Sequence, residues 1–439
     1  MTANEPGAAA APRSLKRLSS VPLALPGPGR LWRGLFLRPE PQRLEPEADP
    51  AAPRITVEIA DAPRFAALGA AFDDLCARAA APNPFMHPAA ALPIAATART
   101  AALLAWDGQA RLVGVFFGIL ERSRVTWPFE GFVSPVSPLA NLGSPVIDRD
   151  LVEPVLRAFL VTLKHRGDLP GLVEIGDLNA CLLEPLRRAA DAEDGRVAIT
   201  ERRCRARLLP APDGPAFWSS TVSGQHRREQ QRQRRRLADS GRLDFVVART
   251  PCEIAASVED FLALEAAGWK GARGSAVASD RAVALFFRAY LRDMALAGLV
   301  ETHALKLDDR PLAVSVSLHA GRRAFTWRIA FDESFRKSSP GLLLFENITL
   351  RYLADGAIEE VDSCNHRDAG FQATRWPARH GMVDVLVDLR AKPLWPVASA
   401  LALRERWRRL LRARAGHWVR RARALRRRLR RKAASGARG

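Results

Sequence analysis

Arg310-Pro-Leu-Ala-Val-Ser-Val-Ser-Leu318, running on into Ala324-Phe-Thr-Trp327, repeats a pattern met much earlier in Arg111-Leu-Val-Gly-Val-Phe-Phe-Gly-Ile-Leu120 and Arg124-Val-Thr-Trp127. Each copy reads as two β-strands joined by a tight polar turn, Ala320-Gly321-Arg322 in one and Glu121-Arg122-Ser123 in the other. A helical pattern follows in both, over Leu342–Ala354 and Leu151–Lys164, and then a short strand at Glu359–Asp362 and Val173–Ile175. The shared order of hairpin, loop, helix and strand points to an internal duplication. Alternating helix-like and strand-like segments point to an α/β fold.

Working outward from the second copy, Ile329-Ala-Phe-Asp-Glu-Ser-Phe-Arg-Lys-Ser-Ser-Pro-Gly-Leu-Leu-Leu-Phe-Glu346 predicts a strand ending near Phe331, a polar loop, and a helix from about Pro340. Ser339 suits an N-cap and Pro340 the first helical position. The start of this helix should then offer several free N–H groups to an anion, with Arg336 and Lys337 adding full charges. A diphosphate such as that of coenzyme A fits such a nest. The corresponding stretch of the first copy, residues 129–145, contains no Lys or Arg. The second copy is therefore the one expected to bind the donor.

The chain has 439 residues, enough for two or three domains. Residues 1–53 are rich in Ala, Pro and Gly without hydrophobic periodicity and read as a disordered lead. Residues 54–210 read as a first domain, 211–243 as a basic linker helix carrying Arg227, Arg228, Arg232, Arg234, Arg235 and Arg236, 244–392 as a second domain, and 393–439 as a basic tail. Residues 401–439 hold 15 Arg and one Lys against Glu405 alone, so +15 of the formal +20 lies in the tail and +5 on the rest. A nucleic-acid-binding fold would carry that charge on its folded face. The five cysteines form no CxxC pair and share no zinc-ligand spacing with histidine, so no metal is expected. No stretch approaches the roughly 18 apolar residues that would span a bilayer. A cytoplasmic protein is expected, held peripherally on the membrane's inner face by the tail. There Leu403, Trp407, Leu410, Leu411, Trp418, Leu425 and Leu429 recur at helical spacing among arginines, a pattern suited to anionic lipid.

Several segments resemble the CelD/BcsL-type acetyltransferases, a tandem family of the GNAT superfamily related in architecture to the FemAB peptidyltransferases. They are Pro82–Pro88, Arg227–Leu237, Phe261-Leu-Ala-Leu-Glu-Ala-Ala-Gly-Trp-Lys-Gly271, Ala330–Asp332 and Ser339-Pro-Gly-Leu-Leu-Leu-Phe-Glu346. The resemblance spans about residues 60–390. It implies two tandem GNAT-like domains, each a mixed, mostly antiparallel sheet flanked by helices and the first degenerate, and direct acyl transfer from acetyl- or acyl-CoA to an amine or hydroxyl, with a role in exopolysaccharide or cellulose-related chemistry. Against the superfamily loop Arg/Gln-x-x-Gly-x-Gly/Ala, the chain reads Arg336-x-x-Ser339-x-Gly341, with Ser in place of the first Gly. Arg336, Lys337, Ser338, Ser339, Gly341, Ile329 and Phe331 become the candidate donor-binding residues. Trp269, Lys270 and Asp332 are candidates for the acceptor side. Glu265, Glu360 and Asp362 are the candidate bases. The rival chemistry is FemAB-like transfer of an amino acid from charged tRNA. A non-catalytic scaffold is the rival from another class.

Overall fold

The structure, a computed structural model, describes residues 54–136, 139–390, 397–412 and 414. The lead at 1–53 and the tail beyond 414 lie outside the described residues. Thirteen strands belong to one sheet. The first seven are β1 (Thr56–Ala60), β2 (Thr100–Trp106), β3 (Leu112–Glu121), β4 (Gly131–Val133), β5 (Val146–Ile147), β6 (Leu172–Asn179) and β7 (Arg196–Leu208). The rest are β8 (Leu243–Ala248), β9 (Val300–Leu307), β10 (Arg310–Ala320), β11 (Arg323–Phe331), β12 (Glu360–Asp362) and β13 (Ala378–Asp388).

The strand order is β1-β2-β3-β4-β6-β13-β7-β12-β11-β10-β9-β8, with β5 added to β3. Read from either edge inward, the two halves match. Three antiparallel pairings lead to one parallel pairing, β4 with β6 in the first half and β11 with β12 in the second. The halves then exchange their last strands. β7 lies between β13 and β12, while β13 lies between β6 and β7, all antiparallel. Buried side chains from both halves, including Phe117, Phe159, Phe287 and Trp327, join in one large apolar core. Burial of this kind is the main favourable term in folding.

The β10–β11 hairpin has the expected tight turn, with Gly321 at φ 56°. Its Cβ would meet the Cys76 carbonyl oxygen at 2.5 Å, so glycine answers both the left-handed backbone and the close approach. The first copy departs from expectation. Arg124–Trp127 is a turn rather than a strand, and β4 begins only at Gly131. Val125 explains the false alternation: it is buried for a different purpose, against Leu401 and Ala398 of a helix at 397–412.

The basic segment expected as a linker is a helix, Gly224–Ala238, capped by the Ser223 hydroxyl. It is docked rather than free. Gln230, Gln233 and Leu237 are buried, and Arg234 reaches Glu346 at 3.2 Å. The tail helix is docked as well. Arg404 donates to the carbonyls of Arg124, Val125 and Trp127, and Arg409 pairs with Glu405, Glu201 and Asp384. No helix among the described residues is long and apolar enough to cross a membrane.

Candidate active site

Parallel pairing between β11 and β12 stops at Phe325 and Asp362, although β11 continues to Phe331. The strands part beyond that point and leave a cavity of about 220 Å³. Thr326, Trp327, Arg328 and Ile329 line it from β11, Ser363 and Asn365 from the loop after β12, and Lys270 from the segment after the helix Pro251–Ala267. Asn141 reaches it from the first half of the chain.

The same opening in the first half is filled. Beyond Val133 and Glu174, residues 142–144 lie along β6. The Ser144 hydroxyl bonds the Asp177 carbonyl and the Asn179 N–H, and Gly176 N–H donates to the Ser134 hydroxyl. A Cβ on Gly143 would sit 2.3 Å from the Gly176 carbonyl oxygen, so only glycine lets the loop lie so close.

Next to the open cleft, Glu333–Ser338 form a 3₁₀ turn capped by Asp332, and the helix Pro340–Ala354 follows. Ser339 differs from expectation. It takes a left-handed backbone, φ 48° and ψ 51°, and its side chain makes no capping bond. A side-chain N-cap needs an extended backbone, which this bend excludes. The Ser339 carbonyl also takes the N–H groups of both Leu342 and Leu343. Pro340 has no N–H, so the expected cluster of free amides reduces to Gly341. The charge is as expected: Arg336 and Lys337 are exposed and pair with no carboxylate among the described residues. Phe331 packs against Gly341, 3.3 Å from where a Cβ would stand, and Ile329 lies on the cleft wall. Ser338 is half-buried within the turn. One free amide and two uncommitted cations fit a diphosphate.

The acceptor-side segment is tied to this loop. Glu333 accepts from the Trp269 N–H at 2.7 Å. Trp269 is half exposed with Arg273 stacked 4.7 Å from its ring centre, and it does not line the cavity. Lys270 does, and donates to Glu265 at 2.6 Å. The Gly that follows is required: a Cβ at 271 would lie 1.7 Å from the Ala266 carbonyl oxygen. Asp332 accepts from Ser334 and Arg310, which places it in the turn's scaffold rather than on the cleft wall.

None of the three expected bases lines the cleft. Glu265 is buried, bonded to Lys270 and the Val277 N–H, with Arg328 at 3.9 Å. Glu360 faces Arg207 at 3.2 Å and His380 at 3.5 Å. Asp362 is buried against Arg205 at 2.6 Å, His380 at 3.1 Å and the Cys364 N–H at 2.7 Å. Burial would raise its carboxyl, but Arg205 and His380 hold it far below the usual carboxylate range. Glu360 and Asp362 are committed to ion pairs that tie β12 to the exchanged strands, and Glu265 is committed to Lys270. Cys364 is buried with its thiol pushed well up, chiefly by burial and next by Asp362. The residues missed from sequence are Asn141, Ser315, Thr326, Arg328, Asn365 and Gln372. Only the alternation along β11 could have pointed to any of them.

Comparison with known proteins bears on the fold. An acetyltransferase (GNAT) domain family matches residues 224–371. Those residues carry a GNAT-like fold. The crystal structure of FemX is similar over 75% of this chain and 98% of its own, at 11% identity and a TM-score of 0.52. A conserved protein of unknown function from Bacteroides thetaiotaomicron is similar over 74% of this chain and 97% of its own, at 10% identity and a TM-score of 0.50. No curated protein matches the chain by sequence. The arginine helix and the loop at 336–341 both fall inside the matched GNAT domain.

Proposed function

We propose that the chain transfers an acetyl or longer acyl group from coenzyme A to an amine or hydroxyl in the cleft between β11 and β12. The observation that carries this reading is the contrast between the halves: the second opening is left open by the chain, with two uncommitted cations on the turn that follows β11, and the first is plugged by its own loop. Arg336, Lys337 and the Gly341 N–H would hold the diphosphate, and the parted edge of β11 from Trp327 to Ile329 would run beside the acyl-bearing arm. The acceptor's lone pair attacks the thioester carbonyl, the C–S bond breaks, and the thiolate leaves. The acceptor's proton passes to water, since no carboxylate lines the cleft among the described residues. Positioning supplies the catalysis. Trp327 belongs to the cleft wall, and its ring is anchored behind it on Phe85, Phe287 and Tyr290. A sugar amine or hydroxyl of a cell-envelope polysaccharide is the acceptor that the CelD/BcsL resemblance favours.

Titration calorimetry with coenzyme A tests the donor. Arg336→Ala with Lys337→Ala should weaken binding at least tenfold while the unfolding midpoint stays unchanged. Equal affinity in the double variant would remove the reading. A second reading rests on the exposed face of the helix Gly224–Ala238, where Arg227, Arg228, Arg235 and Arg236 are open to solvent. In FemAB-like transfer they would grip tRNA. Charged tRNA that binds tightly while coenzyme A does not would favour it. A scaffold without activity would release no thiol in an acceptor screen.

A further inference from the structure

The helix at 397–412 has two unlike faces. Ala398, Leu401, Ala402 and Glu405 are buried against the body. On the opposite side Leu403, Trp407, Leu410 and Leu411 are 53%, 57%, 55% and 60% exposed. Their spacing places them in one stripe along the helix. The stripe does not stand alone. Trp127, on the loop between β3 and β4, is 60% exposed, and the Arg404 guanidinium lies 5.9 Å from its ring while bonding its carbonyl. Phe129 beside it is 37% exposed under Arg390. Two segments far apart in sequence thus present large apolar side chains on one surface. Exposed apolar surface of this extent marks a place of contact.

The surroundings specify the contact. Arg124, Arg404, Arg406 and Arg412 surround the patch. Glu405, the one acidic residue of the helix, is buried and paired with Arg408 and Arg409. Aromatic and leucine side chains ringed by arginine match the boundary between anionic headgroups and acyl chains. A nucleic acid would use the arginines and leave the leucines in water. We infer that Trp127, Phe129 and the outer face of the 397–412 helix form a folded docking surface for an anionic lipid bilayer. The helix does not need to leave the body for this, because its inner face is already clamped through Arg409 to Glu201 and Asp384. The surface is composite, so it differs from a basic tail acting by charge alone.

Sedimentation of the full-length protein with vesicles tests it. The protein should bind vesicles of mixed phosphatidylcholine and phosphatidylglycerol, weakly those of phosphatidylcholine alone, and less as salt rises. Trp407→Glu with Leu411→Glu should lower binding at least tenfold. Trp127→Glu, outside the tail altogether, should lower it several-fold. All these positions are more than half exposed, so unfolding midpoints and coenzyme A affinity should not move. Wild-type binding in both variants would show that residues 415–439 act by charge alone and would overturn the inference. Binding to RNA with none to anionic vesicles would overturn it too.

Discussion

Glu174 sits at the filled opening of the first half, and its environment makes it a pH-sensitive element of stability. Burial lifts its carboxyl to about 7; the nearby Asp384, Glu121 and Glu405 push the same way, and the Ser123 hydroxyl opposes them. An acid with a raised value holds its proton more tightly folded than unfolded. Its contribution is therefore complete below the ordinary value near 4.5 and is lost as pH rises through about 7. Glu174→Gln should remove this dependence. Relative to wild type, the variant should be more stable by on the order of 2–3 kcal/mol at pH 8 and about equal at pH 4. Urea midpoints at the two pH values decide it. Nothing in the sequence marked this residue, because Val173-Glu-Ile shows only the alternation of a strand. That Arg336 and Lys337 stand exposed beside a helix start was legible, because this needs only local spacing to be recognised. Asn141 was not, because it reaches the cleft from the other half of the chain.

The junction of the 3₁₀ turn and the helix Pro340–Ala354 shows how an element can be right in its limits and wrong in its chemistry. Pro340 begins the helix as its fixed φ predicts. Ser339 fails as a cap because the chain enters through a left-handed bend, which the family pattern meets with glycine. Ser339→Gly should relieve that bend and stabilise the protein by roughly 1 kcal/mol, allowing for the greater freedom of glycine in the unfolded chain. Thermal unfolding measures it, and coenzyme A affinity should hold or rise. A fall in stability would mean that the serine side chain contributes where no bond is seen. The β10–β11 hairpin was readable because its turn is short and contains Gly321. The link from β3 to β4 was not, because Val125 obeys a partner in the tail helix.

At the scale of the whole molecule, the duplication was legible and the joining of the halves was not. Hydrophobic periodicity assigns a residue to a strand but does not say which strand lies beside it. β7 and β13 are paired with partners drawn from the opposite half, and the ion pairs Arg205–Asp362, Arg207–Glu360 and Arg203–Asp384 cross that seam. Glu360 and Asp362, which looked like bases in the sequence, are here fasteners of this seam, while Glu265 is held by Lys270 within its own half. Sequence separation hides such pairings, since each residue type is equally suited to a site or to a buried pair.

The swap has an outcome for anyone who severs the polypeptide. A nick in the exposed stretch Leu209–Asp213 would yield one piece ending in β7 and another beginning before β8. The final strand of each piece has both of its neighbours on the other, so either piece alone carries an unzipped edge and should aggregate. Produced together, the two should recover a soluble, coenzyme A-binding heterodimer that withstands dilution. Independent solubility of either piece would mean that the halves are separable modules after all.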